Sequence, residues 1–180
     1  MMPCLTIVSG CPGTGKTTLS ARLAAASPTG VHLDSDVFHR FPARRLDPTT
    51  AQSHGQNTTI MKALGRAAAA FAEGGYHVFL DGVVGPWFLP VLTLELPSGI
   101  EVEYVVLYAS LDQVLHRVRV REGPGASARV RHMHRAFSNL GPYAGHRLDT
   151  SELSAERVLA CFLRRRASGD FVVNLEAFAP

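Results

Sequence analysis

The sequence predicts an α/β fold: a mostly parallel five-stranded sheet between two layers of helices, a three-layer α/β/α unit with a short Arg-rich lid. Three observations carry this prediction. Apolar runs of strand length alternate with helical patterns along the whole chain, which argues for parallel strands joined by crossover helices. The first apolar run leads into Gly10-Cys11-Pro12-Gly13-Thr14-Gly15-Lys16-Thr17, and a helical pattern follows at once. The length of 180 residues, 46% of them hydrophobic, suits one domain, residues 1–180, with a real core.

Each element has its own reason. Strand one is expected at about 4–9, and the first helix at about 16–26, before the turn cluster Ser27-Pro28-Thr29-Gly30. Strand two is short, Val31 to Asp34. Pro42 and Pro48 bracket a loop after it. A long helix with an Ala-rich face is expected over 49–73, stopped by Gly74-Gly75. Strand three runs from Tyr76 to Leu80 and ends in Asp81-Gly82. Pro86-Trp87-Phe88 suggests a loop or short helix. Strand four is expected at 101–108 and a helix from Ser110 to about Arg121. Gly123-Pro124-Gly125 breaks it, and a second Arg-rich helix follows at about 129–139, until Gly141-Pro142. His146 to Leu148 forms a short fifth strand, and 154–167 the last helix. The tail, Phe171 to Leu175, is apolar enough to add an edge strand or to pack on the core. No repeat, linker or second domain is visible.

The eight-residue run fits G-x-x-x-x-G-K-[ST] at every fixed position, in the strand–loop–helix context of a P-loop NTPase. Its chemistry is anion binding. Gly10, Gly13 and Gly15 let the backbone turn its N–H groups inward around phosphate, and the helix N-terminus adds partial positive charge over Thr14 to Thr18. Lys16 reaches the β and γ phosphates and Thr17 can hold Mg²⁺.

Leu33-Asp34-Ser35-Asp36 supplies two carboxylates. Residues two apart on an extended segment point the same way, here into the cleft beyond the strand ends. Phosphoryl transfer uses one carboxylate on the metal side and one to orient and deprotonate the acceptor hydroxyl. The alternatives are solvated loop acids, an Asx turn or a helix cap. Asp81 is expected beside the phosphate loop supporting the metal, or else capping the next turn. Arg117, Arg119, Arg121, Arg129, Arg131 and Arg135 flank the Gly123 break. Helical spacing aligns Arg117 with Arg121, and Arg131 with Arg135. Arg117 and Arg121 are the candidates to close over transferring phosphate; a solvated basic helix pair is the plainer reading.

Composition removes other classes. No apolar stretch reaches the ~20 residues of a membrane span, and no basic leader precedes the first strand, so a cytoplasmic protein is expected. Cys4, Cys11 and Cys161 form no C-x-x-C, which argues against a disulfide framework or zinc site. Cys11 is either a reactive thiol or a small residue that fits the loop. The net charge of +3 is almost all arginine, since Lys16 and Lys62 are the only lysines; a general nucleic-acid footprint would be stronger and more spread. No Asn-Lys-x-Asp guanine-reading motif or ABC-type signature is present, and the length is short for a motor with a helical lid domain.

On the phosphate loop, Asp34-Ser35-Asp36, Asp81-Gly82 and the Arg117-to-Arg121 lid entry, the chain resembles the small P-loop kinases of the adenylate-kinase-like fold. More narrowly, it is similar to the group of chloramphenicol phosphotransferase, gluconate kinase, shikimate kinase and the kinase domain of bacteriophage polynucleotide kinase. The resemblance implies a kinase using ATP and Mg²⁺. By it, Asp36 is the acceptor-hydroxyl base, Asp34 a metal-side carboxylate, and Leu148-Asp149-Thr150-Ser151 a segment near the adenine. Nucleoside monophosphate kinases carry Asp-Gly-x-Pro-Arg, whereas this chain has Asp81-Gly82-Val83-Val84-Gly85-Pro86-Trp87 with no Arg after Pro86. That argues against a nucleotide acceptor bound in their way. Trp87, with Phe38 and Phe41, either walls a pocket for an acceptor with apolar surface or packs in the core. The expected activity is transfer of the γ-phosphoryl group to a hydroxyl of a small molecule. The alternatives are a 5′-hydroxyl polynucleotide kinase and a regulatory NTPase without acceptor.

Overall fold

The computed structural model describes residues 4–123, 125 and 127–178. The strands are β1 (Cys4–Gly10), β2 (Gly30–Asp34), β3 (His77–Asp81), β4 (Glu101–Tyr108) and β5 (Arg147–Asp149). The helices are α1 (Lys16–Ala26), α2 (Ser35–Phe38), α3 (His54–Glu73), α4 (Leu89–Thr93), α5 (Leu111–Glu122), α6 (Ser127–Ala136) and α7 (Ala155–Ala167). The sheet order is β2-β3-β1-β4-β5, and every pairing is parallel. The sequence reading allowed an antiparallel member; the named strands contain none.

β1 lies at the centre and is buried on both faces, so its side chains divide between two cores. Leu5 and Ile7 join Leu80, Val102 and Val106 under α3, whose Ile60, Met61 and Leu64 point down at helical spacing. Val8 joins Phe79, Val105 and Leu107 against Leu19 and Leu23 of α1 and Val158 and Phe162 of α7. Gly65 of α3 permits close contact with α4, since a Cβ there would lie 2.2 Å from the Leu92 carbonyl oxygen.

Three boundaries differ from expectation. The helix expected over 49–73 begins only at His54, after a 3₁₀ turn at Ala51–Ser53. Asp47 Oδ1 accepts from the Thr49 N–H at 2.9 Å and its hydroxyl at 2.7 Å, and these local bonds compete with helix start. α6 starts earlier than expected and ends at Ala136, where Ser138 turns back onto the Arg135 carbonyl. Gly123 ends α5 at φ +83°, and Pro124 of the expected break lies outside the described residues. The tail packs on the core without adding a strand. Phe171 is fully buried and stacked on Phe162, and Val172 makes one antiparallel bridge to Glu103, covering the part of β4 that β5 leaves open.

At the amino ends of β1, β3 and β4 a polar network is sealed under α7. Arg166 donates to Glu103 at 2.7 Å, Thr6 donates to the other Glu103 oxygen at 2.6 Å, and the His77 ring lies within hydrogen-bond distance of both donors. Burial and the Arg166 guanidinium push the His77 pKa down to about 4.

Candidate functional site

The opposite, carboxyl end of the sheet carries the phosphate loop. Gly10 leaves β1 at φ +137°, and a Cβ there would meet the Leu107 carbonyl oxygen at 2.2 Å. Gly13 turns at φ +86° against Val118 and Val114 of α5, and Gly15 caps α1 at φ +98°. Only glycine tolerates the first two positions without moving β4 or α5. Thr14 is buried and donates to the Cys11 carbonyl at 2.9 Å, which closes the loop on itself. Thr18 lies exposed in the first turn of α1. Cys11 is buried, and burial pushes its thiol up to about 11, so it stays protonated. It is the fitted residue of the two alternatives.

Lys16 folds back over the loop and donates to the Cys11 carbonyl at 3.2 Å. Desolvation lowers its pKa; Cys11 and the carboxylates of Asp81 and Asp36 oppose that, and Arg121 adds to it. Lys16, Asp81, Asp36 and Arg121 therefore share one electrostatic neighbourhood.

Asp81, at the end of β3, is buried and accepts from the Thr17 hydroxyl at 2.7 Å. Its other oxygen lies 2.5 Å from His32 Nε2 on β2. The sequence reading brought Thr17 and Asp81 together but missed His32. His32 lies on β2, and the β2–β3 register sets it beside the end of β3. Ser9 was also missed. It exchanges hydrogen bonds with Val84 at 2.7 and 3.1 Å, and Tyr104 donates to the same Val84 carbonyl, fixing the segment after Asp81.

The pair at 34 and 36 departs from the extended geometry expected of it. Ser35 begins the short α2, and Asp34 is its N-cap, accepting the Asp36 N–H at 2.8 Å. This is the helix cap among the alternatives: Asp34 Oδ1 accepts there while Oδ2 stands 4.0 Å from Arg40, and the Asp36 carboxylate acts electrostatically on Lys16.

Arg117 donates to the Gly13 carbonyl at 3.3 Å, one side of a cleft of about 250 Å³ lined also by Thr18, Thr150, Leu153 and Val158. Thr150 donates to the carbonyls of Tyr108 and Thr14, so the 148–151 segment is pinned to the phosphate loop. Arg121 of α5 and Arg129 of α6 both pair with Glu122. Phe38 and Phe41 tilt against each other at 5.2 Å, and neither joins Trp87, which is 51% exposed near the Gly85–Phe88 turn.

The family of AAA domains designated AAA_33 matches residues 5–140, spanning the phosphate loop, Asp36, Asp81 and the arginines of α5 and α6. No protein of curated function matches the sequence. Solved structures share its fold at low identity. A sugar kinase from Janibacter sp. HTCC2649 superposes with TM-score 0.71 at 18% identity, over 100% of this chain and 99% of its own. The tunicamycin resistance protein of Deinococcus radiodurans gives 0.66 at 20%, over 97% and 99%. A gluconokinase from Sinorhizobium meliloti 1021 gives 0.65 at 16%, over 93% and 95%. With the glycine-built phosphate loop, the parallel sheet and a matching profile over most of its length, the chain belongs to the AAA_33 family of AAA domains.

Proposed function

We propose that the chain is a phosphotransferase that moves the γ-phosphoryl group of ATP to a hydroxyl of a small molecule. The observation that carries this reading is that two separate carboxylates, Asp81, bonded to Thr17, and Asp36, at the start of α2, both act electrostatically on Lys16. A nucleotide switch has need of the first acid only. An acceptor to be deprotonated gives the second a role.

Thr17 and Asp81 offer hard oxygens next to the phosphate loop, a donor set that suits Mg²⁺, which keeps most of its shell for water and phosphate. Mg²⁺ bound there would neutralise charge on the β and γ phosphates. Lys16 and the N–H groups from Gly13 to Thr18 hold the phosphates in place. Asp36 accepts the proton as the acceptor oxygen bonds to the γ-phosphorus and the bond to ADP breaks. Arg117 and Arg121 balance charge on the transferring group, which requires Arg121 to leave Glu122. The Thr150 cleft takes the nucleoside. Asp34 acts through its cap, as a positioning residue for Asp36.

The sugar kinase and gluconokinase among the structural neighbours support a small-molecule acceptor. The test is Asp36→Asn. Acceptor-dependent ADP formation should fall by roughly 10²–10⁴-fold while ATP still binds. Unchanged turnover would remove Asp36 from the role of base.

A further inference from the structure

A second cleft opens between the 48–57 segment, the Pro86–Phe88 turn and α6, again about 250 Å³. It follows Asp81 by five residues along the chain and is roofed by the helix that succeeds the Arg117–Arg121 segment. Its chemistry is one-sided. Trp87 and Phe88 give aromatic surface, Thr49 and Asn57 give neutral hydrogen-bonding groups, and His54 and His132 complete the polar lining. Among the described residues, no Lys, Arg, Asp or Glu lines it. That is notable in a chain whose lid carries six arginines. Of the charged groups that flank the cleft, Asp47 is engaged by Thr49 and Arg129 by Glu122, while Arg131 and Arg135 of α6 neighbour His132 and Ala136 of the lining in sequence.

The groups in the cleft are also held in place. The indole of Trp87 lies over Gly85, where a Cβ would meet the ring at 2.3 Å, and sits 6.1 Å from the Phe137 ring. His54 stacks on Phe88 with planes 20° apart. The Asn57 amide nitrogen is committed to the Pro48 carbonyl at 3.0 Å and to Ser53 Oγ at 3.2 Å, so a ligand hydroxyl would donate to its oxygen.

We infer that this cleft selects an uncharged, ring-bearing polyhydroxyl compound, the ring lying on Trp87 and its hydroxyls meeting Asn57 and Thr49. Resting on the phosphotransferase reading, this names the acceptor class. A carboxylate or phosphate on the acceptor would meet no Lys or Arg of the lining and would give up much of its hydration on entering. An aromatic platform with neutral polar groups is the usual way to fix a neutral ring.

Trp87 is the only tryptophan, so its emission reports on the cleft directly. The intact chain is titrated with matched pairs: methyl glucoside against glucuronate, N-acetylglucosamine against its 6-phosphate, and a nucleoside against its monophosphate. ADP formation from Mg-ATP is followed in parallel. A saturable emission change with neutral members, at least tenfold weaker with each charged partner, is expected. Trp87→Ala should raise the acceptor KM about tenfold with the ATP KM unchanged, and Ala51→Lys, at an exposed lining position, should narrow the gap between the pair members. Binding of charged members as tight as or tighter than neutral ones overturns the inference, as does silence with every neutral member. ADP formed only with a charged acceptor keeps the phosphotransferase and discards the class. Neutral-ring binding without ADP formation keeps the class and discards the phosphotransferase.

Discussion

Asp81 of β3 is tied to α1 and to β2 through two hydrogen bonds. Thr17 donates to one oxygen and His32 lies against the other, so the carboxylate is aimed from both sides, and in the proposed reaction it stands on the metal side. A partner that orients a metal-side carboxylate typically contributes 10–100-fold to metal affinity. His32→Ala should therefore raise the Mg²⁺ concentration for half-maximal activity about tenfold or more, with partial rescue by His32→Gln, and saturating Mg²⁺ should restore most turnover. An unchanged Mg²⁺ requirement would reduce His32 to a packing residue. His32 also shows where sequence reading stops. Lys16 and Thr17 were legible because the loop motif fixes their spacing, and Asp81 because it ends an apolar strand. His32 touches Asp81 across 49 residues, and only the β2–β3 register brings them together. Asp34 and Asp36 were legible as a pair, yet a single backbone hydrogen bond decided that one caps the other.

Among the elements, the strands were the most legible, because buried parallel strands read as continuous apolar runs. The helix starts were less so. Asp47 and Thr49 bind each other rather than open α3, and no periodicity reveals that choice. The network beneath α7 was not legible at all, since Thr6, His77, Glu103 and Arg166 come from four elements. It carries two predictions. Arg166→Ala leaves Glu103 buried without its cation and should cost about 3–5 kcal/mol in urea unfolding. Replacing both by apolar residues, Arg166→Met with Glu103→Leu, should cost less. Second, the folded state holds His77 neutral, with its pKa lowered from 6.5 to about 4. The unfolded chain therefore binds more protons between those values, and stability is lost as pH falls through that window, by at most about 1.4 kcal/mol per pH unit from this group. His77→Gln should flatten the slope; an unaltered slope would assign it to other groups.

At the scale of the whole molecule, several arginines are engaged within the chain. Arg22, Arg121, Arg129, Arg165 and Arg166 all pair with carboxylates of the same chain. No helix among the described residues is long and apolar enough to cross a membrane. Turnover with a neutral acceptor should accordingly change less than about threefold between 50 and 200 mM salt. A polynucleotide acceptor gripped through several phosphates would lose orders of magnitude in affinity over that range. The central claim is group transfer, and the most direct measurement is ADP release from Mg-ATP with mass analysis of the acceptor. The wells hold buffer alone, 5′-hydroxyl oligonucleotides, and a panel of hydroxylic metabolites and antibiotics. ADP above the buffer level is expected only with a small molecule, which gains one phosphoryl group. Equal ADP in every well with no acceptor modified, or transfer to the oligonucleotide alone, would contradict it.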